Sequence, residues 1–156
     1  MATQPITHSL VKALRAVADF APLDDATLLE IVGDSACLFW SADSAVFAKG
    51  DPADALYVVL SGRVRIFERT DGAEDEIAHL EPGDYFGEQS LLFHTTHSTN
   101  VHTVEDSELM VIPRASFEPI LTANPNLADR FRQKLESRIL SRHYRPPREG
   151  TPAHRP

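Results

Sequence analysis

From Cys37 to Ile112 the chain consists of short runs rich in Val, Ile, Leu and aromatic residues. Turn signals cut these runs at Lys49-Gly50-Asp51-Pro52, Ser61-Gly62, Asp71-Gly72 and Pro82-Gly83-Asp84. Gly and Pro at this rhythm, about every ten residues, leave no room for crossover helices, so the segment predicts an antiparallel sandwich or barrel and excludes a parallel α/β sheet. The sharpest hairpin signal is Ala55–Leu60, Ser61-Gly62 and Arg63–Phe67. Val64 and Ile66 alternate there with Arg63 and Arg65, which predicts one buried and one wet face.

Helical spacing flanks this β region. Leu10, Leu14 and Val17, then Leu28, Ile31 and Val32 behind the cap candidates Asp24 and Asp25, predict a helical lead-in over 8–34. After a β-roll over 36–112, Pro113 suits the first turn of a short helix through Leu121. Asn124-Pro125 opens a longer helix with an apolar stripe at Leu127, Phe131, Leu135 and Ile139. These helices fill 113–142. Pro146-Pro147 ends the second of them, and a Pro-rich tail over 143–156 without apolar periodicity is expected to be disordered. The expected unit is one domain over 1–142 of the 156 residues.

Charge and cysteine content narrow the function classes. The net charge is −8, but from Asp129 onward eight basic residues face three acidic ones, so a basic C-terminal segment follows an acidic body. Several of these bases alternate around a short helix, as on a solvated face, and no recognition helix follows Arg142, so direct DNA binding is not expected. No run approaches the ~20 apolar residues of a membrane span and Met1–Leu10 lacks a signal-peptide pattern, which makes the cytoplasm the expected location. Cys37 is the single cysteine and, beside Leu38 and Phe39, is expected to pack as a small hydrophobe.

The segment most suited to a ligand begins at Tyr85-Phe86-Gly87-Glu88-Gln89-Ser90. A Gly followed by one short helical turn exposes unpaired backbone N–H groups, an arrangement that receives a phosphate without a basic side chain. A carboxylate in the same turn accepts hydrogen bonds, so Glu88 suits a hydroxyl beside that phosphate, and a phosphorylated ribose offers both groups. The same residues also meet a purely structural demand, since an acid in a first helical turn favours the dipole and Gly relieves a tight bend.

The ordered motifs Gly50-Asp51-Pro52, Leu56-Tyr57-Val58-Val59-Leu60-Ser61-Gly62-Arg63-Val64 and Pro82-Gly83-Asp84-Tyr85-Phe86-Gly87-Glu88 lie between a helical lead-in and a C-terminal helix. Over roughly residues 10–142 this order resembles the cyclic-nucleotide-binding domains, such as the sensor domain of the bacterial catabolite activator and the regulatory subunits of protein kinase A. The resemblance implies a mainly β fold with flanking helices, an antiparallel double-stranded β-helix, or β-roll. It implies a non-enzymatic regulatory module whose ligand is a cyclic nucleotide, cyclic AMP before cyclic GMP, and whose signal goes to a protein partner. It also implies a phosphate-binding cassette of Phe86, Gly87, Glu88, Gln89 and Ser90, with Glu88 on the ribose 2′-hydroxyl. The family's phosphate-binding arginine falls on His97, followed by Ser98 and Thr99, and Arg138 falls where the bacterial activator has an arginine near the nucleotide.

Histidine in place of that arginine alters the expected binding. A guanidinium is always charged and grips two oxygens in a fork, whereas an imidazole with an ordinary pKa of ~6.5 offers one donor per nitrogen. Loss of a charge-assisted contact corresponds to about 1.5–3 kcal/mol, or roughly ten- to a hundredfold in affinity. Two functions therefore stand side by side: a nucleotide-regulated module, and a ligand-independent interaction scaffold with a degenerate pocket.

Other chemistry fits less well. His94, His97 and His102 contain no His-x-His pair of the kind that brings two imidazoles to one strand face, so no metal site is expected. His79 and His102 read as ordinary strand positions. No Gly-x-Ser-x-Gly elbow occurs, and nothing near Cys37 polarises its thiol, so no enzyme is expected and no cofactor is called for. The stripe from Leu127 to Ile139 either closes over the roll or pairs with its copy in a homodimer.

Overall fold

The computed structural model describes residues 3–93 and 96–143, without the side chains of 3–8, 90–91 and 138–143. Two helices come first, α1 (Thr3–Arg15) and α2 (Asp25–Asp34). Asp24 caps α2 by accepting the Thr27 N–H at 2.8 Å. Arg15 staples the turn between the helices, donating to the carbonyls of Ala21 at 3.1 Å and Leu23 at 3.3 Å and pairing with Asp25. Val17 lies beyond the end of α1, in that turn, and is buried there.

Eight strands follow: β1 (Ala36–Trp40), β2 (Ala45–Phe47), β3 (Ala55–Ser61), β4 (Val64–Thr70), β5 (Ala73–Leu80), β6 (Tyr85–Phe86), β7 (Asn100–Thr103) and β8 (Ser107–Pro113). The helix α3 (Glu88–Phe93) sits between β6 and β7, and α4 (Arg114–Ala123) and α5 (Pro125–His143) end the described chain. Every strand pair is antiparallel, and the two four-stranded sheets run β1-β8-β3-β6 and β2-β7-β4-β5. The mainly β fold with flanking helices is the one expected.

One local expectation is corrected. Residues 55–67 do not form a hairpin, because β3 pairs with β8 and β6 while β4 pairs with β5 and β7 in the other sheet. Gly62, at φ +88°, marks the point where the chain leaves one sheet for the other. The hairpin belongs to β4 and β5, closed by Asp71 and Gly72, both at positive φ (53° and 80°), as a tight hairpin turn requires. β7 and β8 likewise lie in different sheets, with Val104–Asp106 crossing between them.

The two cores explain the sequence pattern. One core lies between the sheets and holds Phe47, Val59, Val64, Ile66, Phe86, Val101 and Leu109. The other lies between β1-β8-β3-β6 and the helices, where Leu14, Phe20, Leu28, Leu56, Val58, Met110, Phe117 and Phe131 meet. Covered on both faces, β3 reads as an unbroken apolar run, whereas β4 alternates. Leu127 and Phe131 of the α5 stripe are buried in the helical core, and Leu135 is half-buried. Ile139 lies outside the described side chains, and the expected tail lies outside the described residues from 144 onward. Cys37 is half-buried against the helical core, and burial together with Glu108 raises its thiol pKa above the ordinary value.

Candidate functional site

The two side chains of β6 enter different cores, Tyr85 the helical core and Phe86 the core between the sheets. This pins the start of the expected cassette from both sides. Gly87 follows at φ +87°, and a Cβ there would lie 2.9 Å from the Ala55 carbonyl oxygen and 3.1 Å from the Tyr57 ring. Only glycine fits both the torsion and the space. The chain then turns into α3, placing Glu88 at its first residue and only 2% exposed.

The other side of the site is the segment before β7. His97 is 4% exposed, and its imidazole stacks on the Phe47 ring with centroids 3.4 Å apart and planes 3° from parallel. Its backbone is tied to the turn after β2: the His97 N–H donates to the Asp51 carbonyl and the Gly50 N–H donates to the His97 carbonyl, both at 2.9 Å. The Ser98 hydroxyl donates to Gln89 Oε1 at 2.9 Å, joining this segment to α3.

Phe86, Gly87, Glu88, Gln89, His97, Ser98 and Thr99 thus line one narrow cleft with about 50 Å³ accessible to water. Its apolar wall comes from Phe47 and Val101, from Ile66 and Ile77, and from Leu135 of α5. The mix of an apolar wall with a few convergent polar groups suits a small organic ligand, and one the size of a nucleotide requires the walls to move apart. The wall residues were not foreseen as site residues. Phe47 and Ile66 show only strand alternation in sequence, and nothing local announces that Leu135 faces the same space. The Ser90 side chain lies outside the described residues, as do His94 and the Arg138 side chain. The backbone of Arg138 stands in α5 three residues beyond Leu135, on the same side of the helix.

The electrostatics of the cleft differ from those of a site built on arginine. Among the described residues no lysine or arginine lines it, and Glu88 is its one carboxylate. Burial pushes the His97 pKa below the ordinary imidazole value, while Asp51 and Asp54 pull the other way. Burial likewise raises the Tyr57 phenol, with Asp54 and Asp51 adding to it. The cleft therefore presents a neutral aromatic at His97 near pH 7, a buried carboxylate, hydroxyls and an apolar wall. Elsewhere, His102 packs edge-on against Phe67 and His79 pairs with Glu76, both on strands. Among the described residues no three potential ligands are grouped to hold a metal, and no helix is long and apolar enough to cross a membrane.

Comparison with known proteins agrees with this architecture. The Cyclic AMP receptor protein of Thermus thermophilus is 37% identical over 95 residues, which are 60% of this chain and 44% of that protein. Lysophospholipase NTE1 of Chaetomium globosum is 33% identical over 100 residues, 64% of this chain and only 7% of that much longer protein. Among solved structures, the sensor domain of the transcriptional regulator DNR from Pseudomonas aeruginosa shares the fold with a TM-score of 0.76 at 24% identity. That match covers 88% of this chain and 93% of the domain. The regulatory domain of Toxoplasma gondii PKA, crystallised with cAMP, superposes with a TM-score of 0.70 at 27% identity, covering 75% of this chain and 45% of that one. Residues 37–124, from β1 through α4, match the cyclic nucleotide-binding domain as a family, and with the roll, the Gly87-Glu88 turn and the cleft in place, the chain belongs to that family.

Proposed function

We propose that the cleft binds a cyclic nucleotide, cyclic AMP in preference to cyclic GMP, and that residues 1–142 act as a non-enzymatic regulatory module that signals to a protein partner. The observation that carries this reading is the convergence of the buried Glu88 carboxylate, His97 and Leu135 of α5 on one cleft. Glu88 accepts the ribose 2′-hydroxyl, the backbone of Gly87 to Ser90 receives the cyclic phosphate, and Ser98 and Thr99 stand beside it. The apolar wall takes the base. The name of the Thermus relative and the cAMP in the Toxoplasma structure support the choice of nucleotide.

Signalling requires that the ligand favour one position of α5 over another. Leu135 lines the cleft, and its neighbour Lys134 places its ammonium 4.3 Å from the centroid of the Tyr85 ring. Tyr85 also stacks on Phe20, lies 4.9 Å from Phe131 between ring centroids, and donates its hydroxyl to Asp19. A ligand that moves Leu135 therefore works against the contacts that hold α5 to β6, and Arg138 follows on the same helix.

One observation favours a second reading. The His97 imidazole lies flat on Phe47 and is held neutral by burial, as in a pocket that has given up its phosphate contact. In that case the domain is a ligand-independent scaffold. The outer face of α5 carries the exposed polar residues Arg132, Gln133, Glu136 and Ser137, so a homodimer through α5 would use a polar contact here or the residues beyond 137.

Calorimetric titration with cyclic AMP and cyclic GMP at pH 6 and pH 8 separates the two readings. A bound phosphate raises the His97 pKa from its lowered value, so the complex takes up a proton and affinity increases as pH falls between the two values. Tighter binding at pH 6 with proton uptake is expected. His97→Arg supplies a permanent charge and is expected to strengthen binding at pH 8 by about tenfold or more and to remove the pH dependence. Titrations without heat for both nucleotides at both pH values, with no gain from His97→Arg, would establish the scaffold.

A further inference from the structure

The segment 50–55 touches both polar halves of the cleft. Gly50 and Asp51 bond the His97 backbone, each at 2.9 Å, and Pro52 bridges to Thr96. The carbonyl of Ala55 lies against Gly87, so close that a Cβ there would stand 2.9 Å away. Between these points the chain has no strand of its own, and Ala53 is buried at 2% exposure. Carbonyls outside a ladder, that of the buried Ala53 above all, need other partners. Arg114, the first residue of α4, provides them: its guanidinium donates to the Ala53 carbonyl and its backbone N–H to the Asp54 carbonyl, both at 2.9 Å. Nε of Arg114 lies 3.7 Å from Glu118 Oε2 one turn along α4.

We propose that Arg114 is a positioning residue for the cleft: by bonding Ala53 and Asp54 it fixes the 50–55 segment and thereby the placement of His97 and of the Gly87-Glu88 turn. Arg114 is not among the cleft-lining residues. It acts through backbone that the cleft residues themselves grip. The groups facing His97 are Phe47 of β2, Asp51 and Asp54 of the fixed segment, and Glu88 across the cleft. Releasing Ala53 lets the segment relax toward water and loosens the imidazole from its buried stack.

The decisive readout is NMR of the His97 imidazole in the ligand-free protein, which does not depend on nucleotide binding. In Arg114→Ala, the His97 resonances are expected to shift and its titration midpoint to rise toward that of a free imidazole. Arg114→Lys, which keeps a charged donor at this position, is expected to remain near wild type, and Glu118→Gln, which keeps the Ala53 bond, is expected to leave His97 unchanged. A folded Arg114→Ala protein with wild-type His97 shifts and titration would overturn the proposal. Should Arg114→Ala fail to fold, Arg114→Gln decides on the same readout. A second measurement rests on the nucleotide reading: cyclic AMP affinity in Arg114→Ala is expected to fall roughly five- to tenfold, the scale of one lost hydrogen bond at the site. If wild type binds no cyclic AMP while His97 still moves in Arg114→Ala, the nucleotide reading fails and the positioning role stands.

Discussion

Gly62→Ala is expected to destabilise the domain by at least about 3 kcal/mol, enough to remove a large part of the stability of an ordinary domain. Gly62 has φ +88°, and an added Cβ would lie 2.2 Å from Ser107 Oγ, 2.4 Å from the Asp106 carbonyl oxygen and 2.7 Å from Ser107 Cα. Two of these three atoms are backbone, so a rotamer change cannot relieve the overlap. Ser107 is fully buried, accepting the Arg63 N–H at 3.1 Å and donating to the Glu105 carbonyl at 2.8 Å. It joins the two places where the chain crosses between sheets, β3 to β4 and β7 to β8. Gly72→Ala is the control, because its φ of +80° carries the same torsional strain while nothing lies within 4 Å of its added Cβ. That variant is expected to lose only about 1 kcal/mol. Urea denaturation of both checks the difference, and equal midpoints would show that the approach of Gly62 to Ser107 is not tight.

Phe131→Ala is expected to lower stability by about 3–5 kcal/mol, the range for removal of a fully buried aromatic. Phe131 has no exposed surface, and its ring centroid lies 4.9 Å from Tyr85, 5.8 Å from Phe117 and 6.1 Å from Phe20. It is where α5 meets the lead-in, α4 and β6 together. Leu127, Ala128, the Lys134 ammonium on Tyr85 and Leu135 still hold α5, so part of the helical circular dichroism is expected to be lost before the roll unfolds. Phe131→Leu keeps most of the volume and is expected to lose less than half as much. If Phe131→Ala unfolds with the wild-type midpoint, α5 does not depend on this cluster.

The sequence carried the β-roll because its turn residues are local: Gly and Pro at the ends of short apolar runs act through φ and missing N–H groups that need no distant partner. It misassigned 55–67 for the converse reason. An alternating strand beside a continuous one resembles a hairpin, and only the distant partners β8 and β7 show that the two strands belong to separate sheets. At the site, Gly87 and Glu88 were legible because a tight bend and a helix start are neighbours in sequence. The environment of His97 was not, since Phe47 lies fifty positions upstream and Asp51 and Asp54 come from the same distant turn. Treated as a bare substitution for arginine, His97 suggested a titrating phosphate contact. Its burial and stacking show a second use of the ring, as part of the cleft wall.

The most direct measurement is a calorimetric titration of wild type, Glu88→Gln and Glu88→Ala with cyclic AMP and with its 2′-deoxy analogue at pH 6. Saturable one-to-one binding of cyclic AMP to wild type is expected. Loss of the carboxylate or of the 2′-hydroxyl is each expected to weaken it by roughly ten- to a hundredfold, the scale of a hydrogen bond to a charged group. The two losses are expected not to add, because they remove the same contact. Unchanged cyclic AMP affinity in a folded Glu88→Ala protein would contradict the assignment of the cleft.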